Sequence, residues 1–347
     1  MSATLFDHAL RLHRLTPDAP LPRDGDPYPD ADDDRPDSGD DRRRRGIDAA
    51  AVLDRHFADP TAQPGDLTGA FRAIDVPIHL NDHITAAALR ADRDRVRATG
   101  RHLVRHSTDR NSATVGLALL AADWTGADIP LIQTIGLLSN HFGPLAAHAL
   151  QRRRGGGEAL LWLAQRVAGW GRVYVVEALL PVGISVARDW LLRHSCDGDF
   201  LNGYFAGRVA VAADLHTAIV AADPDDELID HTGRLLCQMA AADGMGQTLR
   251  GYPAAPIVLA AFADHLGGQS PSSERFVQAA VLVNQLDHGG AGDLGTDPEG
   301  RIRVVLDRPE WCAAVQNDLD LDDDYAAWFT EHVGERLGLR AFTPPGG

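Results

Sequence analysis

The sequence predicts an all-α fold of stacked antiparallel helix pairs. From Ile47 onward, Ala, Leu and Val recur at steps of three and four residues, and Gly, Asp, Asn and Pro punctuate the pattern at short intervals. Between Asp128 and Leu215 the apolar segments are only 10–15 residues long, too short to be stable alone. No alternation of strand and helix patterns appears, which argues against a Rossmann-type sheet.

Residues 1–15 read as a short N-terminal helix, with Leu5, Leu10 and Leu12 near helical spacing. Residues 16–46 read as disordered. Thr16 to Arg45 hold six Pro, ten Asp and six Arg, with Leu21 and Tyr28 almost the only large apolar residues. The helical repeat domain is expected over 47–290. Helices are predicted at 47–58, 66–74, 82–107 (broken near Gly100) and 111–123, followed by six between Asp128 and Leu215, and by 226–242, 252–266 and 272–287. Pro130 is tolerated in a first turn, and Asp128 reads as the N-cap before it. Residues 291–347 read as a C-terminal helical cap, with helices near 299–306, 309–318 and 324–337; Arg301–Asp307 has a strand as its alternative.

Six helices in 88 residues give about 29 residues per helix pair, and Phe142–Gly143 finds an echo 28 residues on in Trp170–Gly171. With the Asp128-to-Pro130 helix start and the repeated Leu-Leu and small-residue helix pairs, residues 82–287 resemble a HEAT-like or armadillo-type α-solenoid. The resemblance implies a stack with a concave face. The period is shorter than the roughly 40–47 residues usual for such repeats, and no functional residue carries over from the family.

The 347 residues include 33 Arg, no Lys, 41 Asp and 8 Glu, for a formal net charge of −16. A GC-rich coding bias accounts for this balance, with adaptation to high salt as the competing account. Such acidity argues against a nucleic-acid partner. Without lysine the chain forms neither a pyridoxal-phosphate Schiff base nor a P-loop ammonium contact, and it lacks G-x-G-x-x-G, G-x-S-x-G and H-E-x-x-H. No cofactor is expected. No apolar run spans a membrane, no secretory signal is read at the N-terminus, and three cysteines fit a reducing, cytoplasmic setting.

Several local features have residue types suited to chemistry. Cys196 stands among His194, Asp197 and Asp199, where a helix-connecting loop capped by one of the acids is the simpler account. His102 and His106 share a helix face, but Arg101 and Arg105 beside them oppose a dication. Asn317–Phe329 imitates a calcium loop but lacks its Gly and its last Glu, so its acids fit a helix N-terminus better. Arg90–Arg110 holds seven Arg against three Asp, with Arg97, Arg101 and Arg105 on one helix face. An aromatic cluster of Trp162, Trp170, Tyr174, Trp190, Tyr204 and Phe205 is interleaved with Arg172, Arg188, Arg193 and Arg208.

The function expected is a non-enzymatic binding scaffold for a protein or peptide, acidic or phosphorylated. Its binding residues would be Arg97, Arg101, Arg105, Trp170, Tyr174, Trp190, Arg193 and Tyr204. The alternatives are a nucleic-acid binder or DNA glycosylase of HEAT-like type, for which Trp124 and Asp128 would form the site, and a small-molecule sequestration protein lined by the aromatics.

Overall fold

A computed structural model describes residues 3–31, 44–290, 297–319 and 323–343. The regular secondary structure among those residues is all helical, with no strand. No helix among them is long and apolar enough to cross a membrane. The chain divides into two compact units, Met1–Ala187 and Arg188–Gly347.

The first unit holds α1 (Leu5–Leu15), α2 (Ile47–Ala58), α3 (Asp82–Arg90), α4 (Arg93–His106), α5 (Arg110–Ala121), α6 (Ile129–Gly136), α7 (Ser139–Gln151) and α8 (Gly156–Ala164). Local caps set half of these starts: Thr4, Asn81, Asp92 and Asp109 each accept backbone N–H groups at the head of α1, α3, α4 and α5. The predicted break at Gly100 falls instead at Ala91–Asp92, where Asp92 caps a new helix. Gly100 is there for close approach: a Cβ on it would lie 3.0 Å from the Gly116 carbonyl oxygen of α5. Residues 66–74 form no helix. A single tight turn at Pro64–Leu67 and further turns carry Phe71 into the core.

Part of the stretch 16–46, expected to be disordered, also departs from expectation. Residues 16–31 are packed, with Leu21, Tyr28 and Asp30 buried; residues 32–43 lie outside the described residues. Polar bonds rather than apolar area hold this strap. Asp30 takes Arg110 Nε at 2.7 Å and the Arg110 backbone N–H at 2.8 Å, and the Arg110 guanidinium lies 4.7 Å from the centre of the Tyr28 ring. Asp24, at φ 52°, accepts the N–H groups of Ser139 (2.9 Å) and Asn140 (2.8 Å) and the Ser139 hydroxyl (2.6 Å). It thereby caps α7, which has no local side-chain cap.

Contacts in this unit recur at one spacing. Arg101 meets Asp128, His141 meets Thr114, Gln133 meets the Ala159 carbonyl and Gln151 meets the Ala178 carbonyl, at separations of 26 or 27 residues. The echoed pair Gly143 and Gly171 pack backbone to backbone, a Cβ on Gly143 falling 3.4 Å from the Gly171 Cα.

Two of the six short helices expected between Asp128 and Leu215 are one. A single helix, α9 (Gly169–His194), runs through Pro181, and the division between the units falls within it. The second unit continues with α10 (Ala206–Ala212), α11 (Leu215–Ile219), α12 (Asp226–Ala240), α13 (Ala255–Leu266) and α14 (Ser273–Gln285), then α15 (Pro298–Leu306), α16 (Pro309–Asp318) and α17 (Asp324–Phe329). Arg301–Leu306, with a strand as its alternative, is helical. The final predicted helix stops at Phe329 and widens into a π-type turn over 330–335. Phe205, Phe276, Trp311 and Phe329 are fully buried core residues of this unit.

Candidate functional site

The arginine face of α4 is largely satisfied from within the chain. Arg97 Nε donates to Asp123 at 2.7 Å and its Nη1 to Asp94 at 3.0 Å; Arg101 Nε donates to Asp128 at 2.6 Å. Arg105 leaves this group and lies 5.1 Å from the centre of the Phe6 ring. Arg97, Arg101 and Arg105 therefore do not form one open face toward a partner. Asp128, expected to cap α6, makes no cap hydrogen bond because its carboxylate is turned to Arg101.

The structure instead gathers these arginines around the loop Ala122–Asp128, between α5 and α6. Arg93 and Arg97 of α4 share the Asp123 carboxylate, Arg93 at 2.6 Å. Burial alone would raise the Asp123 pKa, but hydrogen bonds from Arg97 and Arg93 hold it far below the usual carboxylate range. From the other side comes the run Arg152–Arg154 at the end of α7. Arg153 is buried; it donates to the carbonyls of Leu120 (2.7 Å), Thr125 (3.1 Å) and Ala149. These are carbonyls at or just beyond two helix C-termini, where a cation is favoured. Burial lowers the Arg153 pKa, and the nearby Asp128 and Asp123 carboxylates oppose that shift. Arg152 stacks over Trp124, its guanidinium carbon 4.9 Å from the centre of the ring, and the indole is 55% exposed. Arg154 is exposed beside Gly126, where a Cβ would come within 3.7 Å of the Arg154 carbonyl.

Five guanidiniums, those of Arg93, Arg97, Arg101, Arg152 and Arg153, thus surround one short loop, against the carboxylates of Asp94, Asp123 and Asp128. Arg93, Arg152 and Trp124 are exposed, and Arg154 is an exposed neighbour in the chain. An indole framed by arginines suits carboxylate or phosphate groups held by paired N–H donors. Trp124 and Asp128 do not form a glycosylase-like pair, because Asp128 is buried against Arg101 while the Trp124 ring meets Arg152.

The remaining candidates are dispersed. Trp170 stacks on Tyr174 at 5.9 Å, and Tyr174 meets His79 edge-on at 5.5 Å, in the first unit. Trp190, Arg193 and Tyr204 belong to the second. Trp190 and Tyr204 are half-buried, and Arg193 is paired with Asp225 at 2.7 Å and with Asp189. Trp162 packs between Arg166 and His13.

Protein-family models, curated proteins and solved structures hold no match to this chain.

Cys196 is buried, and its backbone N–H donates to His231 Nε2 at 2.9 Å while His231 Nδ1 meets the Leu192 carbonyl at 2.8 Å. His231, not the adjacent His194, is the histidine at this turn, and Asp199 caps the turn that follows. The His102 and His106 rings are 4.7 Å apart, and no group of three or more metal-ligating side chains occurs among the described residues. In the calcium-like stretch, residues 320–322 lie outside the described residues; Asp323 caps α17 through the N–H groups of Tyr325 and Ala326, as its placement at a helix start implied.

The sequence pairs Trp124 with Asp128 alone and gives Arg152 and Arg154 no site. Their signal was three consecutive arginines closing a helix in an acidic chain. Their convergence on Trp124 depends on how α4, α5 and α7 pack.

Proposed function

We propose that the chain is a non-enzymatic binding scaffold, a HEAT-like α-solenoid of antiparallel helix pairs acting in the cytoplasm. It docks an acidic or phosphorylated segment of a protein partner on the arginine-ringed loop of the first unit. The observation that carries this reading is Trp124, exposed and stacked by Arg152, with the exposed Arg93 paired to the neighbouring Asp123. Recurring contacts at 26–27 residues support the solenoid. With guanidinium as its only basic side-chain type besides imidazole, the chain is suited to planar, two-pronged anion recognition.

The test is fluorescence anisotropy with a short labelled Asp/phosphoserine peptide and its Asn/Ser counterpart. The acidic peptide should bind saturably, weaken as salt rises toward about 1 M, and lose roughly tenfold or more with Arg152→Ala/Arg154→Ala. Equal binding of the neutral peptide, or tighter binding of single-stranded DNA, would remove this reading.

A further inference from the structure

The second unit contains a cavity of about 650 Å³, a size typical of small-ligand sites. It lies among α12, α14, the end of α16 and the start of α17. Val277 and Val281 supply apolar wall, and Cys237 lines it between α12 and α14. The Cys237 thiol donates to the Gln278 carbonyl at 3.5 Å, and burial pushes its pKa up to about 12. At neutral pH it is thus a small neutral surface rather than a nucleophile or a charge.

The rim has the opposite character. Asp197, Glu274, Asp318 and Asp323 all border the cavity; the basic side chain among its lining residues is Arg234, already held by Glu274 at 2.6 Å. Tyr325 forms one wall. It is 54% exposed and begins an aromatic ladder on the last helix, with Trp328 at 5.6 Å from it and His332 stacked on Trp328 at 6.0 Å. The surrounding unit reinforces this field: Arg188–Gly347 carries 11 Arg against 25 Asp and Glu, a net charge of −14.

An apolar floor, an aromatic wall and a carboxylate rim are the three elements that recognise an organic cation. The apolar surface takes its body, the ring face attracts its charge, and the carboxylates compensate that charge where water is partly excluded. An anion would meet the carboxylates of Asp197, Asp318 and Asp323, with Glu274 neutralised by Arg234, and a neutral ligand would leave the rim unused. We infer that this cavity binds a small organic cation with a flat apolar body, at a site independent of the arginine-ringed loop.

Calorimetry on the full chain tests it, with berberine as the planar cation and 1-anilinonaphthalene-8-sulfonate as the planar anion. Berberine should bind with one-to-one stoichiometry and weaken with salt, while the sulfonate should bind far more weakly. Tyr325→Leu should weaken berberine by about fivefold through loss of the ring face. Asp323→Ser removes a rim charge but keeps a helix-capping oxygen, and should weaken berberine while leaving the circular dichroism unchanged. Val277→Trp, which fills the space, should abolish binding. Arg152→Ala/Arg154→Ala should leave berberine binding untouched, which separates this inference from the proposed docking surface. Equal affinity for the two dyes, or berberine binding indifferent to both Tyr325→Leu and Val277→Trp, would overturn the assignment.

Discussion

Met1–Ala187 and Arg188–Gly347 are built from the same parts, short helices tied by Arg–Asp pairs, yet the ties are spaced differently. Between α4 and α9 several of them recur at 26 or 27 residues. Between α11 and α14, Arg234–Glu274, Cys237–Gln278, Arg275–Asp230 and His265–Ile219 span 40 to 46 residues, within the range of about 40–47 usual for HEAT and armadillo repeats; Arg193–Asp225 and Cys196–His231, nearer the start of the second unit, span 32 and 35. The cause is visible in the connections: residues 241–254 separate α12 from α13, whereas Leu137 and Leu138 alone separate α6 from α7. The charges differ as well. The first unit has 22 Arg against 24 acids, a net −2, and the second carries the remaining −14. A single chain thus offers a nearly balanced half with an arginine-ringed surface and a strongly acidic half with a carboxylate-rimmed cavity. The average of −16 describes neither.

The largest expected effect strikes the feature peculiar to the first unit, its polar strap. Asp30→Ala leaves the Arg110 guanidinium buried without its carboxylate and should cost about 3–5 kcal/mol in urea unfolding. Hydrogen exchange should locate the loss in α1 and α5 and spare α12 and α14. Equal loss across both units would break the comparison.

Acid should next distinguish them. His141 is half-buried in the first unit and faces Thr114, Phe142 and the Arg110–Asp30 pair. The Thr114 hydroxyl donates to the Arg110 carbonyl, so its oxygen accepts from His141 Nε2–H. Burial, aided by Arg110, lowers the His141 pKa from 6.5 to about 4. The unfolded state therefore binds the proton more readily. This stability is present above pH 6.5 and declines as pH falls toward 4, by on the order of 3 kcal/mol. His141→Gln, which keeps an N–H donor, should flatten that part of the pH profile measured by chemical denaturation.

A smaller effect belongs to the second unit. Arg275 binds Asp226 at 2.9 Å and Asp230 at 2.8 Å, pairs that reach solvent. Arg275→Ala should cost roughly 1 kcal/mol, read as a shift in the urea midpoint. The least effect is expected from salt. Raising NaCl to about 1 M screens self-repulsion, so exchange protection should rise modestly within 188–343 and hardly at all within 44–187.

Local chemistry made several elements legible. Asp109, Asp225 and Ser272 cap their helices through backbone groups a few residues away, and the Gly143–Gly171 echo is a packed pair. Legibility ended where a residue's partner lay far along the chain. Asp24 and Asp30 looked like part of a solvated acidic tract because Ser139 and Arg110 are not near them in sequence. The α4 arginines looked available for the same reason, although Asp123 and Asp128 stand only 26 or 27 residues away. The cavity was hidden too, since Tyr325, Cys237 and Glu274 share no motif.

The sequence by itself determined the all-helical character, because periodicity and capping act within a few residues. Its lack of lysine also restricted strong cationic contacts to guanidiniums, apart from imidazole. Only the tertiary structure decided which of those guanidiniums are occupied by the chain's own carboxylates and which reach the surface at Trp124. A charge pair depends on distance in space, and that distance is set by how helices pack.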